Sequence, residues 1–392
     1  MDHVGGDGQA AIARPVNRRR LAALLAVALL SACKVIPKGP AEAPPPPEPS
    51  ADVLPTDTER HRIALLVPMT GTNAAVGQSI ANAATMALLD TNAQNLRVTT
   101  YDTATSPAEA ARRALADGNK LILGPLLADD IPAVIATVRT AKVPVISYSN
   151  DATAVARDVF VIGHLPSQSI TRTVSYVKAQ GVSRIGALIP AGEYGQRAES
   201  ALLAAARANG ATIAASESFD RGNTSVTSAA RRLQAKGGYD AVLIADGGRI
   251  AALAAPVLKA AGASPRLLGT ELWSGENVVA STPALRGALF SAVSDNRFRQ
   301  FSDSYRTRFG AQPFRIATLG YDSVLLTLRI ARDWKPGTLF PTARMYDRSG
   351  FLGLDGAFRF GRDGVVERAL EVREVRAGGI TVISPAPTKF AD

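Results

Sequence analysis

From residue 61 onward the chain alternates two kinds of segment, and that alternation limits its fold more than any other feature. Short, near-continuous apolar runs stand at 63–67, 121–123, 143–146, 159–162, 185–189 and 241–244. A strand with one face in water alternates apolar and polar residues. A run that is apolar throughout reads as a strand covered on both faces, the mark of a parallel sheet. Between the runs lie Ala-rich segments of helical period. Val76, Ile80, Ala83, Ala84, Ala87 and Leu88 follow the spacing of one buried helix face, and 132–141, 167–180, 196–209 and 251–261 read the same way. Strands alternating with helices predict a doubly wound α/β fold. Ten or so such units exceed one sheet, so two α/β lobes are expected. The rhythm breaks near the end, with a long apolar helix over 316–334 that starts near Tyr321-Asp322. After it, 351–356 and 358–364 carry Asp-Gly turn signals between alternating apolar residues, which is hairpin chemistry.

The first 60 residues follow different rules. Arg14, Arg18, Arg19 and Arg20 precede an apolar run over 21–30, too short to span a bilayer and right for a signal-peptide core. The run ends in Leu30-Ser31-Ala32-Cys33, which resembles the bacterial lipobox, and Cys33 is the chain's only cysteine. Residues 1–32 are therefore expected to be a lipoprotein signal peptide and Cys33 a lipidated anchor. Acyl chains contribute about 0.8 kcal/mol per buried methylene, enough in combination to hold the protein on a membrane. Lys34 rather than Asp after the cysteine points to the periplasmic side of the outer membrane. Segment 33–60 holds eight of the 24 prolines and reads as an extended tether, reaching on the order of 80 Å at about 3.1 Å per residue. Loss of the signal removes four Arg and two Asp, so the formal charge of +10 becomes +8. Export takes nucleic acid off the partner list despite that charge and points instead to anionic envelope surfaces. A single Cys excludes an internal disulfide, and with three His it excludes a four-ligand Cys/His zinc site. No metal or cofactor is expected.

Residues 61–384 resemble the leucine-binding-protein-like periplasmic receptors. The resemblance is carried by Ile63 to Gly71, Val76-Gly77, Leu121-Ile122-Leu123-Gly124-Pro125, Val143-Pro144-Val145-Ile146-Ser147, Glu193-Tyr194-Gly195 and Gly353-Leu354-Asp355-Gly356, in order. It implies a type I periplasmic binding protein fold: two Rossmann-like lobes, three crossovers, and a cleft at the strand C-termini. Lobe 1 is expected at about 61–163 and 293–334, and lobe 2 at about 164–292 and 335–384. Leu123-Gly124-Pro125-Leu126, Ser149-Asn150-Asp151 and Gly163-His164-Leu165-Pro166-Ser167-Gln168 resemble the penicillin-binding protein activator group within that superfamily. Some members of that group carry an added helical-repeat domain, for which 34–60 is too short. This closer resemblance implies a non-enzymatic lipoprotein that docks on a class A penicillin-binding peptidoglycan synthase and stimulates it. The alternative is the substrate-binding lipoprotein of an ABC-type amino-acid transporter.

In amino-acid receptors of this fold a helix N-terminus with Ser or Thr holds the ligand carboxylate, and a carboxylate or aromatic face holds the ammonium. The loop after Gly124-Pro125 carries Leu126-Leu127-Ala128-Asp129-Asp130 where Ser or Thr is expected, and its acids would repel a carboxylate. Candidate cleft residues for a small polar ligand are Thr70, Ser147, Ser149, Asn150, Tyr194, Asp246, Glu271 and Trp273. Ser175-Tyr176-Val177-Lys178, Ser294-Asp295-Asn296 and Lys236-Gly237-Gly238 imitate the motifs of serine penicillin-binding enzymes. Their order is wrong for catalysis, and Ser175 falls in mid-helix instead of opening one. No catalytic residue is expected. His164 reads as a loop or crossover residue, and His61 as a solvated residue at the tether end.

Overall fold

The computed structural model describes residues 59–260, 262, 264–387 and 390. Cys33, the expected signal peptide and all but the last two residues of the expected tether lie outside them. The first lobe is built on strands β1 (His61–Val67), β2 (Leu96–Asp102), β3 (Leu121–Leu123), β4 (Val145–Ser147) and β5 (Val159–Val161), all parallel in the order β2-β1-β3-β4-β5. Its first three helices are α1 (Ala74–Asp90), α2 (Pro107–Ala116) and α3 (Ile131–Val138). Successive side chains of a strand point to opposite faces. Ile63, Leu65 and Val67 enter the core under α1, while Ala64 and Leu66 enter the one under α2 and α3. Coverage on both sides explains why β1 is apolar throughout.

The second lobe repeats the plan with β6 (Arg184–Pro190), β7 (Thr212–Phe219), β8 (Ala241–Ile244), β9 (Arg266–Leu268) and β10 (Leu289–Ala292). Helices α4 (Pro166–Ala179) and α5 (Glu193–Asn209) cover one face, and α6 (Ser225–Lys236) and α7 (Gly248–Leu258) the other. A short α8 (Asn277–Ser281) follows β9. The chain then returns to lobe 1, where Phe301 and Tyr305 of α9 (Asn296–Phe309) pack on Ala83 and Met86 of α1. Helix α10 (Thr318–Ala331) packs along α1 as well, starting a turn earlier than Tyr321. A three-stranded sheet of β11 (Phe351–Gly353), β12 (Gly356–Phe360) and β13 (Val366–Arg368) follows. The chain ends in β14 (Glu371–Arg376) and β15 (Gly379–Ser384), antiparallel strands that extend the lobe 2 sheet to the order β15-β14-β10-β9-β8-β6-β7.

Two expectations are corrected. Residues 335–368 belong to lobe 1, not lobe 2: Phe340, Met345, Phe351, Phe358, Phe360 and Val366 bury themselves in the core of β1 and α1. Only β14 and β15 of the expected 335–384 segment lie in lobe 2. His61 is not solvated. It opens β1, is 3% exposed and stacks on Trp334 with ring centroids 4.0 Å apart. Burial holds its pKa below the ordinary histidine value.

The chain passes between lobes three times, at 162–165, 293–295 and 369–370. The two lobes also share one helix-start device. A Cβ on Gly77 would stand 1.8 Å from the Pro68 carbonyl oxygen, and one on Gly195 would stand 1.7 Å from that of Pro190. The first turn of each helix thus closes directly on the end of the preceding strand, which only glycine permits. Gly195→Ala is expected to destabilise the protein by about 1–3 kcal/mol through overpacking, read as a lowered thermal midpoint.

Candidate functional site

Strand C-termini of both lobes face a cleft of about 740 Å³, within the size range of small-molecule sites. Lobe 1 contributes the loop after β3 (Leu126 to Asp129), the loop after β4 (Tyr148, Ser149, Asn150) and Pro313 to Ile316. Lobe 2 contributes Glu193 and Arg197 from α5 and the turn after β9 that contains Glu271, Leu272, Ser274 and Glu276. His164, in the first crossover, lines the back of the cleft.

The structure divides the sequence-derived candidates. Ser149, Asn150 and Glu271 line the cleft. Ser149 is 2% exposed, and its Oγ accepts the Asp151 backbone N–H at 3.0 Å. Asn150 Oδ1 accepts a hydrogen bond from Arg197 at 3.2 Å. Tyr194 stands one layer behind, its hydroxyl donating to Glu271 Oε1 at 2.9 Å and lying 3.0 Å from Thr270 Oγ1. The other four are corrected. Thr70 is exposed and ties down Asp102 at 2.7 Å. Ser147 is fully buried, donating to the Pro125 carbonyl and accepting the Ser149 N–H. Asp246 pairs with Arg221 at 2.7 Å and accepts the Gly247 N–H. Trp273 is core: 0% exposed, packed on Phe290, with its indole N–H on the Asp246 carbonyl. An indole so large and so well partnered serves packing rather than recognition.

Among the described residues lining the cleft, Glu271 is the carboxylate with a buried oxygen left without a hydrogen bond. Its Oε2 is buried and has no hydrogen-bond partner. Burial pushes its pKa up to about 7, against the lowering effect of the Tyr194 hydrogen bond. A group or ligand that donates to Oε2 would favour the ionised form.

Sequence reasoning missed the ion network beneath the cleft. Asp355, fully buried in the β11–β12 turn, accepts from His164 Nε2 at 2.7 Å, Arg315 NH1 at 2.6 Å and Thr318 Oγ1 at 2.9 Å, and lies 3.9 Å from Arg368 NH1. Burial alone would raise its pKa, but the cationic partners outweigh it and hold the carboxyl well below the usual range. Asp322 of α10 accepts the Leu354 and Asp355 backbone N–H groups, and burial beside Asp355 raises its pKa. Next to this set, Arg373 bridges Glu371, Asp295 and the Val293 carbonyl. The network therefore reaches the first two crossovers, through His164, Val293 and Asp295, and flanks the third with Arg368 and Glu371. Only the quoted Gly-Leu-Asp-Gly hairpin hinted at it; nothing in the pattern around Arg315 or Arg368 did.

Arg197 is a second missed residue. From lobe 2 it reaches Asn150 and, at 3.1 Å, Asp151 on lobe 1, while also holding Glu193 at 2.6 Å. It clasps the mouth of the cleft. Among the described residues no cluster of three His, Cys, Asp or Glu is placed to hold a metal ion. Ser175 lies within α4, in its middle turns.

A family model for periplasmic binding proteins matches residues 61–379. Among solved structures, a Rhodospirillum rubrum protein assigned to branched-chain amino acid ABC transport superposes with a TM-score of 0.72 at 20% identity, over 83% of this chain and 100% of that one. A leucine-binding protein of Thermotoga maritima gives 0.66 at 17% identity, covering 84% and 99%. A branched-chain amino acid transporter substrate-binding protein of Streptococcus pneumoniae, in complex with isoleucine, gives 0.64 at 19%, covering 83% and 100%. At these identities the likeness is one of fold. An uncharacterised Rickettsia prowazekii protein is 29% identical over 136 residues, 34% of this chain and 36% of that protein. The match thus spans about a third of the curated relative.

Proposed function

Because this chain belongs to the periplasmic binding protein family, we propose that it is a non-enzymatic binding protein of the cell envelope whose cleft captures a small polar ligand. One observation carries this reading: the buried, unpartnered Oε2 of Glu271 on the cleft wall, with its other oxygen fixed by Tyr194. Leaving a buried acceptor unmet costs about 1–3 kcal/mol, more when it is charged. A ligand ammonium or other donor removes that penalty and gives the cleft its selectivity. A thermal-shift panel of small amines, amino acids and their neutral analogues tests the reading. Stabilisation by donor-bearing members supports it; a flat response across the panel refutes it.

A second reading is favoured by the lobe 1 wall. The loop after β3 presents Leu126, Leu127 and Ala128 to the cleft, and the Ser147 hydroxyl is held internally. That wall lacks the Ser or Thr donors expected of an amino-acid receptor at this loop, which suits regulation of a class A penicillin-binding synthase better than nutrient capture. Co-purification with a bifunctional synthase, followed by glycan polymerisation with and without the protein, decides it. No complex and no rate effect return the protein to the transport class.

The regulatory reading goes with a lipid anchor at the periplasmic side of the outer membrane, through Cys33 and the proline-rich segment; that address argues against transport, whose receptor must visit an inner-membrane permease. Cys33→Ala is expected to move the protein from the membrane fraction to the soluble periplasm. Retention in the membrane fraction would contradict the anchor.

A further inference from the structure

The five strands of lobe 1 are parallel, so all of them begin at one end of the lobe, opposite the cleft. That end collects basic side chains. Arg62 and Arg97 are register partners on β1 and β2, and Lys120 leads into β3 with its backbone N–H on the Arg62 carbonyl at 2.9 Å. Like charges thus stand side by side on three neighbouring strands, which costs stability unless an anion is near. Exposed Lys142 leads into β4 and exposed Arg157 into β5. Of the acids there, Asp90 pairs with Arg308, Asp158 lies 3.8 Å from Arg157, Asp333 pairs with Arg344, and Asp117 accepts from the Tyr101 hydroxyl.

Apolar side chains are exposed at the same end. Leu89, in the last turn of α1, is 63% exposed, and Leu339, in the loop after α10, is 55% exposed. That loop is fixed beside the start of β1. Trp334 stacks on His61 and donates its indole N–H to the Thr338 carbonyl at 3.2 Å, and exposed Lys335 lies between them in sequence. The matching end of lobe 2 is basic as well, with Arg207 ending α5, Arg266 opening β9 and Arg286 before β10. Its exposed apolar side chains, Leu203, Leu253 and Val382, lie instead in the middle of their elements. Cations and exposed leucines therefore coincide on lobe 1, at the end where the chain enters the fold through Arg60 and His61.

We propose that this end of lobe 1 docks on an anionic lipid surface, its basic side chains against headgroup phosphates and Leu89 and Leu339 dipping between the headgroups. A cationic surface with protruding apolar side chains has the composition that such a surface selects. The headgroups relieve the crowding of Arg62, Arg97 and Lys120, and the cleft is left facing away from the membrane. Alone, such a patch binds weakly and reversibly; beside an acyl chain it supplies the second signal that stable attachment needs. The proposal is independent of what the cleft binds.

Co-sedimentation with excess vesicles tests it, using the mature chain from residue 33 with Cys33→Ala, which carries no acyl group. Vesicles of phosphatidylcholine mixed with phosphatidylglycerol are compared with phosphatidylcholine alone. Binding is expected to the anionic vesicles only, and to fade at high salt. A basic side chain near an anionic surface is worth about five-fold in partitioning. Adding Lys120→Glu, Arg157→Glu and Lys335→Glu together should therefore weaken binding by roughly 100-fold or more. A thermal melt checks that this variant folds. If it does not, Arg157→Glu with Lys335→Glu, both at exposed positions, replaces it and should weaken binding by roughly 25-fold. Leu89→Ser with Leu339→Ser should weaken it by roughly 10-fold. Arg207→Glu, Arg266→Glu and Arg286→Glu make the same charge change on lobe 2 and should leave binding within about two-fold, since screening confines the effect to nearby charges. Equal loss in the lobe 2 variant, equal binding to neutral vesicles, or capture by isolated peptidoglycan sacculi without binding to anionic vesicles overturns the proposal. So does the absence of binding to any vesicle.

Discussion

Asp355→Ala is expected to lower stability by about 3–5 kcal/mol, because it strips a buried carboxylate from two buried guanidiniums. With an unfolding entropy of about 2.1 cal/mol/K per residue over the folded part 61–384, the thermal midpoint should fall by about 4–7 °C. The argument rests on geometry. Asp355 is 0% exposed and accepts from His164, Arg315 and Thr318, with Arg368 close by. Its turn is fixed in place by Asp322, which accepts the Leu354 N–H at 2.6 Å. The variant leaves Arg315 and Arg368 uncompensated and unlinks lobe 1's small sheet from the crossovers. The pH dependence gives a second readout. The folded pKa of Asp355 lies below its unfolded value. Its contribution is therefore complete above the ordinary aspartate range and lost as pH falls through the folded value. The difference between wild type and variant should shrink in acid. A full-sized difference at low pH, or a variant as stable as wild type at neutral pH, would refute this role.

Glu271→Gln should act in the opposite direction on stability. Burial raises the Glu271 pKa to about 7. A carboxyl raised in the folded state is most compatible with folding below the unfolded value near 4.5, and stability is lost as pH rises through about 7. The amide does not titrate. The variant is therefore expected to match wild type at pH 5 and to exceed it at pH 8 by about 1–3 kcal/mol. Asp322, whose pKa is also raised, is common to both proteins and cancels in the difference. Such a gain would mark Glu271 as a residue held at a stability cost, as binding sites are. Parallel stability–pH curves for the two proteins would contradict the buried, unmet carboxylate.

What the sequence made legible follows from burial. Strands covered on both faces are apolar throughout, so β1, β3, β4, β6, β8 and the buried edge strand β5 stand out as unbroken runs. Strands β2 and β7 left no such run. Each lies at the edge of its sheet, half-buried, and sequences such as Leu-Arg-Val-Thr-Thr-Tyr-Asp do not separate from loop on periodicity alone. Strand β14 was hidden by charge: Glu371 and Arg373 are buried, which composition argues against until their partners are known. The 335–368 segment was misassigned because a chain that leaves a helix gives no local sign of which lobe it will rejoin.

The cleft wall was legible at Ser149, Asn150 and Glu271, which follow strand ends where an α/β cleft must lie. Trp273 and Asp246 follow strand ends too, and were indistinguishable from them by position. Only the fold shows that Trp273 turns into the core and that Asp246 is held by Arg221. Arg315 precedes α10, Asp355 and Arg368 belong to the small β11–β13 sheet, and His164 lies in the first crossover, and only the fold brings them together. No spacing within one stretch could announce that meeting.

The central claim is that the cleft binds a small ligand through Glu271. Calorimetric titration at pH 8, with the strongest hit from the amine and amino-acid panel, into wild-type protein and Glu271→Gln side by side, tests it most directly. The account predicts saturable one-to-one binding in wild type, weakened roughly 10- to 100-fold in the variant. Equal affinity for the two proteins would contradict it.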